Sequence, residues 1–131
     1  MERRKRIILD THIWIKLSQG DRRIRNKFKK FLDSSYERCL SVFSVWEFAM
    51  LVSKKRFILE EDPLEWVKDN LKQSQLTLLP LSLEIAVKSC FLSKDFHGDP
   101  GDRIILATSI VEDIILLTED KKIIRYLKET R

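Results

Sequence analysis

The sequence predicts a three-layer α/β/α sandwich over residues 1–131, read as a single domain, and three observations lead there. Four short apolar runs have the look of strands: Ile7-Ile8-Leu9, Cys39-Leu40-Ser41-Val42-Phe43, Thr77-Leu78-Leu79 and Ile114-Ile115-Leu116-Leu117. The first and last are continuous rather than alternating, as in strands buried on both faces of a parallel sheet. Segments of helical period separate the runs, and such alternation implies right-handed crossovers that put helices on both faces. A chain of 131 residues can also build a core without disulfide or metal staples.

The elements follow in order. Ile7-Ile8-Leu9 ends at Asp10. A helix comes next with Ile24, Phe28, Phe31 and Leu32 on one side, and Arg22, Arg23, Arg25, Lys27, Lys29 and Lys30 around the rest. After the second strand, Ser44-x-x-Glu47 reads as a capping box, in which serine and glutamate satisfy each other's free backbone N–H groups. Asp62-Pro63-Leu64-Glu65 reads the same way, with Pro at the first helical position. Ser82 precedes a helix whose Leu83, Ala86, Val87, Cys90 and Phe91 match one apolar face, expected to turn to the core. Asp99-Pro100-Gly101-Asp102 opens the helix before the fourth strand, with Asp99 as its cap.

Composition removes several classes. At 44% hydrophobic and 34% charged residues, with three Gly and three Pro, the chain is neither disordered nor of low complexity. Cys39 and Cys90 form no metal spacing and no disulfide framework; they suit strand and helix cores and a reducing, cytoplasmic setting. No apolar run approaches the ~18 residues of a membrane span, and Met1 opens onto Glu-Arg-Arg-Lys-Arg rather than a signal segment. The net charge of +5 is unevenly spread: residues 1–30 hold eleven Lys and Arg against three acids. Such a stretch is either a solvated helix face or a seat for a polyanion.

Placing the acids on this scaffold is the informative step. Asp10 ends the first strand, Glu47 sits in the first turn of a helix, Asp102 in the first turn of another, and Asp120 follows the last strand. All four can reach the rim at the strand C-termini, where open α/β sheets bind ligands. Glu47 alone could be a capping partner, and Asp102 and Asp120 alone ordinary first-turn acids. Asp10 after a buried apolar strand needs a partner, a proton or a metal. Four carboxylates together suit a hard divalent cation, Mg²⁺ or Mn²⁺, because every donor is oxygen. Helix N-termini are expected to help keep Glu47, Asp102 and Asp120 ionised.

At these residues the chain resembles PIN domains, specifically the VapC-type toxin ribonucleases of type II toxin–antitoxin pairs. The matching pieces are Ile8-Leu9-Asp10-Thr11-His12-Ile13-Trp14, Ser44-Val45-Trp46-Glu47, His97-Gly98-Asp99-Pro100-Gly101-Asp102-Arg103-Ile104-Ile105-Leu106-Ala107-Thr108 and Leu116-Leu117-Thr118-Glu119-Asp120. The resemblance implies a PIN-like parallel sheet of strand order 3-2-1-4, with a fifth edge strand short or absent because little sequence follows Leu127. It makes Asp10, Glu47, Asp102 and Asp120 the catalytic and metal-binding acids of an endoribonuclease that hydrolyses RNA phosphodiester bonds with Mg²⁺ or Mn²⁺. It also implies a cognate antitoxin as partner, often with an Arg entering the acid cluster, and a homodimer.

In that scheme Asp10 and Asp102 carry most of the metal binding, and Glu47 and Asp120 complete the coordination or orient water. Thr11 and Thr118 hydroxyls would fix carboxylate rotamers. His97 and Arg103 are candidates for substrate contact, Arg103 equally for a salt bridge; Arg22, Arg23 and Arg25 are candidates for holding an RNA backbone. Trp14, Trp46 and Trp66 read as core or interface residues rather than base-stacking platforms. Two other readings remain: a phosphatase-like fold, disfavoured because Thr11-His12 replaces the second Asp it would need, and a non-cleaving PIN-type RNA- or protein-binding module.

Overall fold

The computed structural model describes residues 5–33, 35–93 and 96–130. Arg3 and Arg4 of the basic quarter lie outside them. The elements are β1 (Arg6–Leu9), α1 (Thr11–Ser18), α2 (Arg22–Lys27), α3 (Lys29–Leu32), β2 (Glu37–Ser41), α4 (Val42–Ser53), α5 (Pro63–Gln73), β3 (Leu76–Leu79), α6 (Leu83–Cys90), α7 (Pro100–Glu112), β4 (Ile115–Leu117) and α8 (Lys121–Thr130). The strands form one parallel sheet in the order β3-β2-β1-β4. Among the described residues no fifth strand joins it, and α8 follows β4.

Ile8 of β1 stands opposite Cys39 of β2 and Leu116 of β4. Successive side chains of a strand take opposite faces. Ile7 and Leu9 therefore join the core of Ile13, Trp14, Phe48 and Val67, while Ile8 packs with Cys39 and Ile114 on the other side. This two-sided burial is what the continuous apolar run predicts. At the sheet edge, β3 leaves Leu78 exposed.

The larger core layer is aromatic. Phe48 stacks on Trp66 with ring centroids 4.5 Å apart and meets Trp14 edge-on at 5.5 Å. The Trp14 indole N–H donates to Asn70 Oδ1 at 2.8 Å, so no buried donor is orphaned. Trp46 instead lies on the surface beside Phe43.

Asp62, Ser82 and Asp99 cap α5, α6 and α7 as predicted, accepting the N–H groups of Glu65, Ile85 and Asp102 at 3.1, 3.1 and 2.9 Å. Four other expectations change. Strand β2 stops at Ser41, whose hydroxyl accepts the Phe43 N–H at 3.1 Å, so Val42 and Phe43 open α4 rather than close a strand. Ser41 is the cap, and Ser44-x-x-Glu47 is not a capping box. Composition favours a strand for Val-Phe, but a cap three residues earlier decides the backbone.

The basic helix also differs, because it breaks at Phe28 into α2 and α3 while Phe28 and Leu32 still reach the core. Helix α6 turns Ile85 and Ser89 inward and leaves Leu83, Val87, Cys90 and Phe91 exposed. Leu83, Val87 and Phe91 are 82%, 54% and 76% exposed. Periodicity locates an apolar face, but only the packing of α6 on α7 decides which face is covered. Cys90 is accordingly a surface thiol rather than a core residue.

Candidate active site

The site is assembled from strand ends and helix starts. Asp10 follows β1 and extends its ladder, donating its N–H to Leu117 O at 3.0 Å. It occupies the N-cap position of α1, yet its side chain makes no capping bond. Instead Asp10 Oδ2 accepts the Thr118 hydroxyl at 2.6 Å. Thr118 follows β4, so one hydroxyl ties the C-terminal ends of β1 and the edge strand β4. Thr118 Oγ1 in turn accepts the Asp120 N–H at 3.0 Å.

Glu47 lies half-buried one turn into α4, where its Oε1 accepts the Thr11 hydroxyl at 2.6 Å. Thr11 Oγ1 is also 2.7 Å from the fully buried Ser44 Oγ. Thr11 has one hydroxyl proton and gives it to Glu47, so Ser44 is the donor to Thr11. The pair that looked like a cap in the sequence is thus a side-chain relay from α4 through α1 and back. Asp120 Oδ1 accepts the Ile123 N–H at 3.0 Å and starts α8. Asp102 sits in the first turn of α7 beside the cap Asp99.

Two glycines let these elements close up. A Cβ on Gly101 would lie 2.8 Å from Glu47 Oε2 and 2.9 Å from the Phe43 ring. A Cβ on Gly98 would lie 2.6 Å from the Phe96 ring and 2.9 Å from Asp102 Cβ. Neither distance is available to a real side chain, so bare backbone at Gly101 lets α7 close against α4, and at Gly98 it lets the preceding loop fold onto Phe96 and the first turn of α7.

The electrostatics are those of a crowded acidic rim. Burial pushes the Asp10 carboxyl upward, against the Thr118 hydrogen bond, and Asp120 adds to the rise. Burial likewise raises Glu47, opposed by the Thr11 hydrogen bond and assisted by Asp99 and Asp10. Asp102 is pushed up to about 6, by burial first and then by the charges of Asp99, Asp120 and Asp10. For Glu47 and Asp102 the helix N-termini do not outweigh burial and repulsion, contrary to the sequence expectation.

The donor set is all hard oxygen, which suits Mg²⁺ or Mn²⁺, and a cation would relieve the repulsion that raises these groups. Among the described residues, no three acidic, imidazole or thiol side chains stand close enough to grip a metal as they lie. Protein donors already hold one oxygen each of Asp10, Glu47 and Asp120.

The other sequence candidates scatter. Among the described residues no acidic side chain makes a salt bridge with Arg103, and its donors are turned inward. They go to the carbonyls of Gly98, Ser89 and Phe96 at 3.2, 3.4 and 3.1 Å, with the guanidinium over the Phe96 ring. It is a clamp on the loop before α7. His97 is exposed and lines a hollow of about 350 Å³ with Phe96, Lys122, Arg125, Tyr126 and Glu129. Arg23 and Arg25 point apart, as two residues on a helix must. Arg25 lines a separate hollow of about 200 Å³ with Trp14, Leu32 and Arg38, and Arg22 lies on the surface.

Arg23 faces Glu119, to which it donates twice, at 2.7 and 2.9 Å. Lys27 adds a third bond at 2.7 Å, and Lys16 stands 3.6 Å away. Arg23 first and then Lys27 hold the Glu119 carboxyl well below the usual range. Neither Ser44 as the donor to Thr11 nor Glu119 as a basic-face anchor was legible in the sequence, since both depend on contacts between distant segments.

Three comparisons bear on this arrangement. The PIN domain family model matches residues 7–129. The chain is similar to Ribonuclease VapC22 of Mycobacterium tuberculosis (strain ATCC 25618 / H37Rv), with 25% identity over 117 residues that cover 89% of this chain and 88% of that protein. Its fold matches a toxin–antitoxin complex from Klebsiella pneumoniae with a TM-score of 0.64, 23% identity and 88% coverage of each chain. It also matches FitAcB from Neisseria gonorrhoeae with a TM-score of 0.65, 18% identity and 93% coverage of each chain.

Proposed function

Because the chain belongs to the PIN domain family, we propose that it is a metal-dependent endoribonuclease, acting as the toxin of a toxin–antitoxin pair in the cytoplasm. The observation that carries this reading is the rim itself. Asp10, Glu47 and Asp102 all have raised carboxyl groups at the strand C-termini, and each senses the charge of at least one other acid.

Asp10 and Asp102 would hold Mg²⁺ or Mn²⁺, with Glu47 and Asp120 completing the set. When bound, the cation supplies Lewis acidity and neutralises charge at the scissile phosphate. The protein's own groups do the positioning. Thr118 fixes the Asp10 rotamer, and Ser44 through Thr11 fixes that of Glu47. Glu47 Oε2, the oxygen not bonded to Thr11, is available to take a proton from an attacking water, for which a raised carboxyl is better matched than an ordinary one.

Two partners belong to the reading. An antitoxin segment bearing Arg would satisfy the same uncompensated carboxylates and so block the rim. A second copy of the chain would cover Leu83, Val87 and Phe91 of α6, an apolar stripe that is otherwise wet. No helix among the described residues is long and apolar enough to cross a membrane.

Incubating pure protein with an RNA pool, in Mn²⁺ or in EDTA, tests the central claim. Internal cuts that require metal are expected. Binding without cuts would replace this reading with that of a non-cleaving PIN module.

A further inference from the structure

Glu119 lies in sequence between two residues of the acidic rim, Thr118 and Asp120, yet its carboxylate turns to the basic side. Arg23 meets it as a fork, Nη1 to Oε2 at 2.7 Å and Nη2 to Oε1 at 2.9 Å. Lys27 Nζ adds a bond of 2.7 Å to Oε2, and Lys16 Nζ stands 3.6 Å from Oε1. Three cations from α1 and α2 therefore converge on one carboxylate and exceed it in charge. The Arg23 side chain remains 61% exposed, so the cluster is open to solvent from the cationic side.

A guanidinium fork with flanking ammonium groups is the donor arrangement that a phosphodiester takes, since its two anionic oxygens match those of a carboxylate. We propose that Lys16, Arg23 and Lys27 form a phosphate seat for the RNA strand beside the acidic rim. Glu119 is its built-in occupant, displaced by a backbone phosphate as the strand docks. The proposal rests on the ribonuclease reading and adds which cations receive the strand and what holds them ready.

The physical case has two parts. A rim of carboxylates repels RNA, so a strand needs a cationic hold close to the rim, and Glu119 is the chain neighbour of Asp120. Lys and Arg side chains also lose much freedom when fixed. Glu119 gathers three of them in advance and so saves part of that ordering. As a tethered anion it also competes with phosphate, and at low salt the competition is the larger effect. Arg25 lies outside this seat, because it lines the hollow beside Trp14 and Arg38.

The test measures binding of a fluorescent single-stranded RNA pool in EDTA, where no cutting occurs. Glu119→Gln is expected to tighten binding about fivefold at low salt, because phosphate no longer competes with a tethered anion. Arg23→Gln with Lys27→Gln is expected to weaken it by at least that factor and to flatten the log–log salt dependence by about 0.7 per phosphate lost. Adding Glu119→Gln to that pair is expected to change nothing further. Glu84→Gln, on the exposed first turn of α6, serves as a control for net charge and is expected to stay within about twofold of the parent. Unchanged or weaker binding by Glu119→Gln overturns the seat, as does a gain that persists without Arg23 and Lys27. Metal-dependent cutting of the same pool by the unaltered protein reports on the ribonuclease reading separately. Cutting with a failed Glu119 result removes the seat alone, whereas neither cutting nor binding removes both.

Discussion

Thr118 and Asp10 are 108 residues apart in sequence and joined by a hydrogen bond of 2.6 Å. That hydroxyl is the buried link between the C-terminal ends of β1 and β4. Thr118→Val keeps the shape but leaves a buried carboxylate oxygen without its donor, at a cost of ~1–3 kcal/mol. It is also expected to lower RNA cleavage by about 10–100-fold, the usual range for a group that orients a metal-binding residue. Thr118→Ser is expected to restore most of both. Thermal melts and initial cleavage rates of the two variants check this; full activity in the valine variant would remove the positioning role.

Asp102→Asn and Asp10→Asn are each expected to abolish cleavage while the circular dichroism spectrum stays that of the parent. The Asp102 variant also carries a pH signature in EDTA. The Asp102 carboxyl rises from 3.8 to about 6 on folding, so the folded state binds more protons than the unfolded state between those values. Its contribution to stability is therefore fully present below pH ~4 and is lost as pH rises through about 6. Asn has no such loss. The variant should melt higher than the parent at pH 7.5 and close to it at pH 4; the opposite trend would contradict the raised carboxyl.

Gly101→Ala inserts a methyl 2.8 Å from Glu47 Oε2. Either the glutamate or the start of α7 must move. A loss of ~1–3 kcal/mol is expected from the overpacking, with a fall in cleavage larger than the melting change alone explains. Comparing cleavage rates well below the melting temperature separates the two effects.

Ser41→Ala and Ser44→Ala distinguish two serines of one short segment. The first removes the cap of α4 and should cost ~1 kcal/mol with little change in cleavage. The second removes the donor to Thr11, loosens Glu47 and should lower cleavage. If Ser44→Ala leaves cleavage untouched while Ser41→Ala reduces it, the relay has no function.

Replacing Leu83, Val87 and Phe91 together with Ser is expected to turn a dimer into a monomer on light scattering. Stability of the protomer should change little, because the three side chains are already exposed. A parent that is monomeric at high concentration would dismiss the second copy as the cover for α6.

The sequence by itself determined which segments become strands and put the acids beside them. The continuous apolar run of β1 is buried on both faces and that of β4 is partly so, and Asp62, Ser82 and Asp99 carry their own capping chemistry within three residues. These are local effects, readable from neighbours in the chain. What Ser44 bonds to, which face α6 buries and where Glu119 points required the tertiary structure. Each depends on partners 33 to 96 residues away or on a neighbouring helix, and the strand order alone brings them together. The acidic rim belongs to both: Asp10, Asp102 and Asp120 stand at strand ends and helix starts as the sequence places them, while Glu47 lies a turn deeper in its helix than the sequence suggests. The raised carboxyl groups of Asp10, Glu47 and Asp102 arise only when folding buries them near other acids.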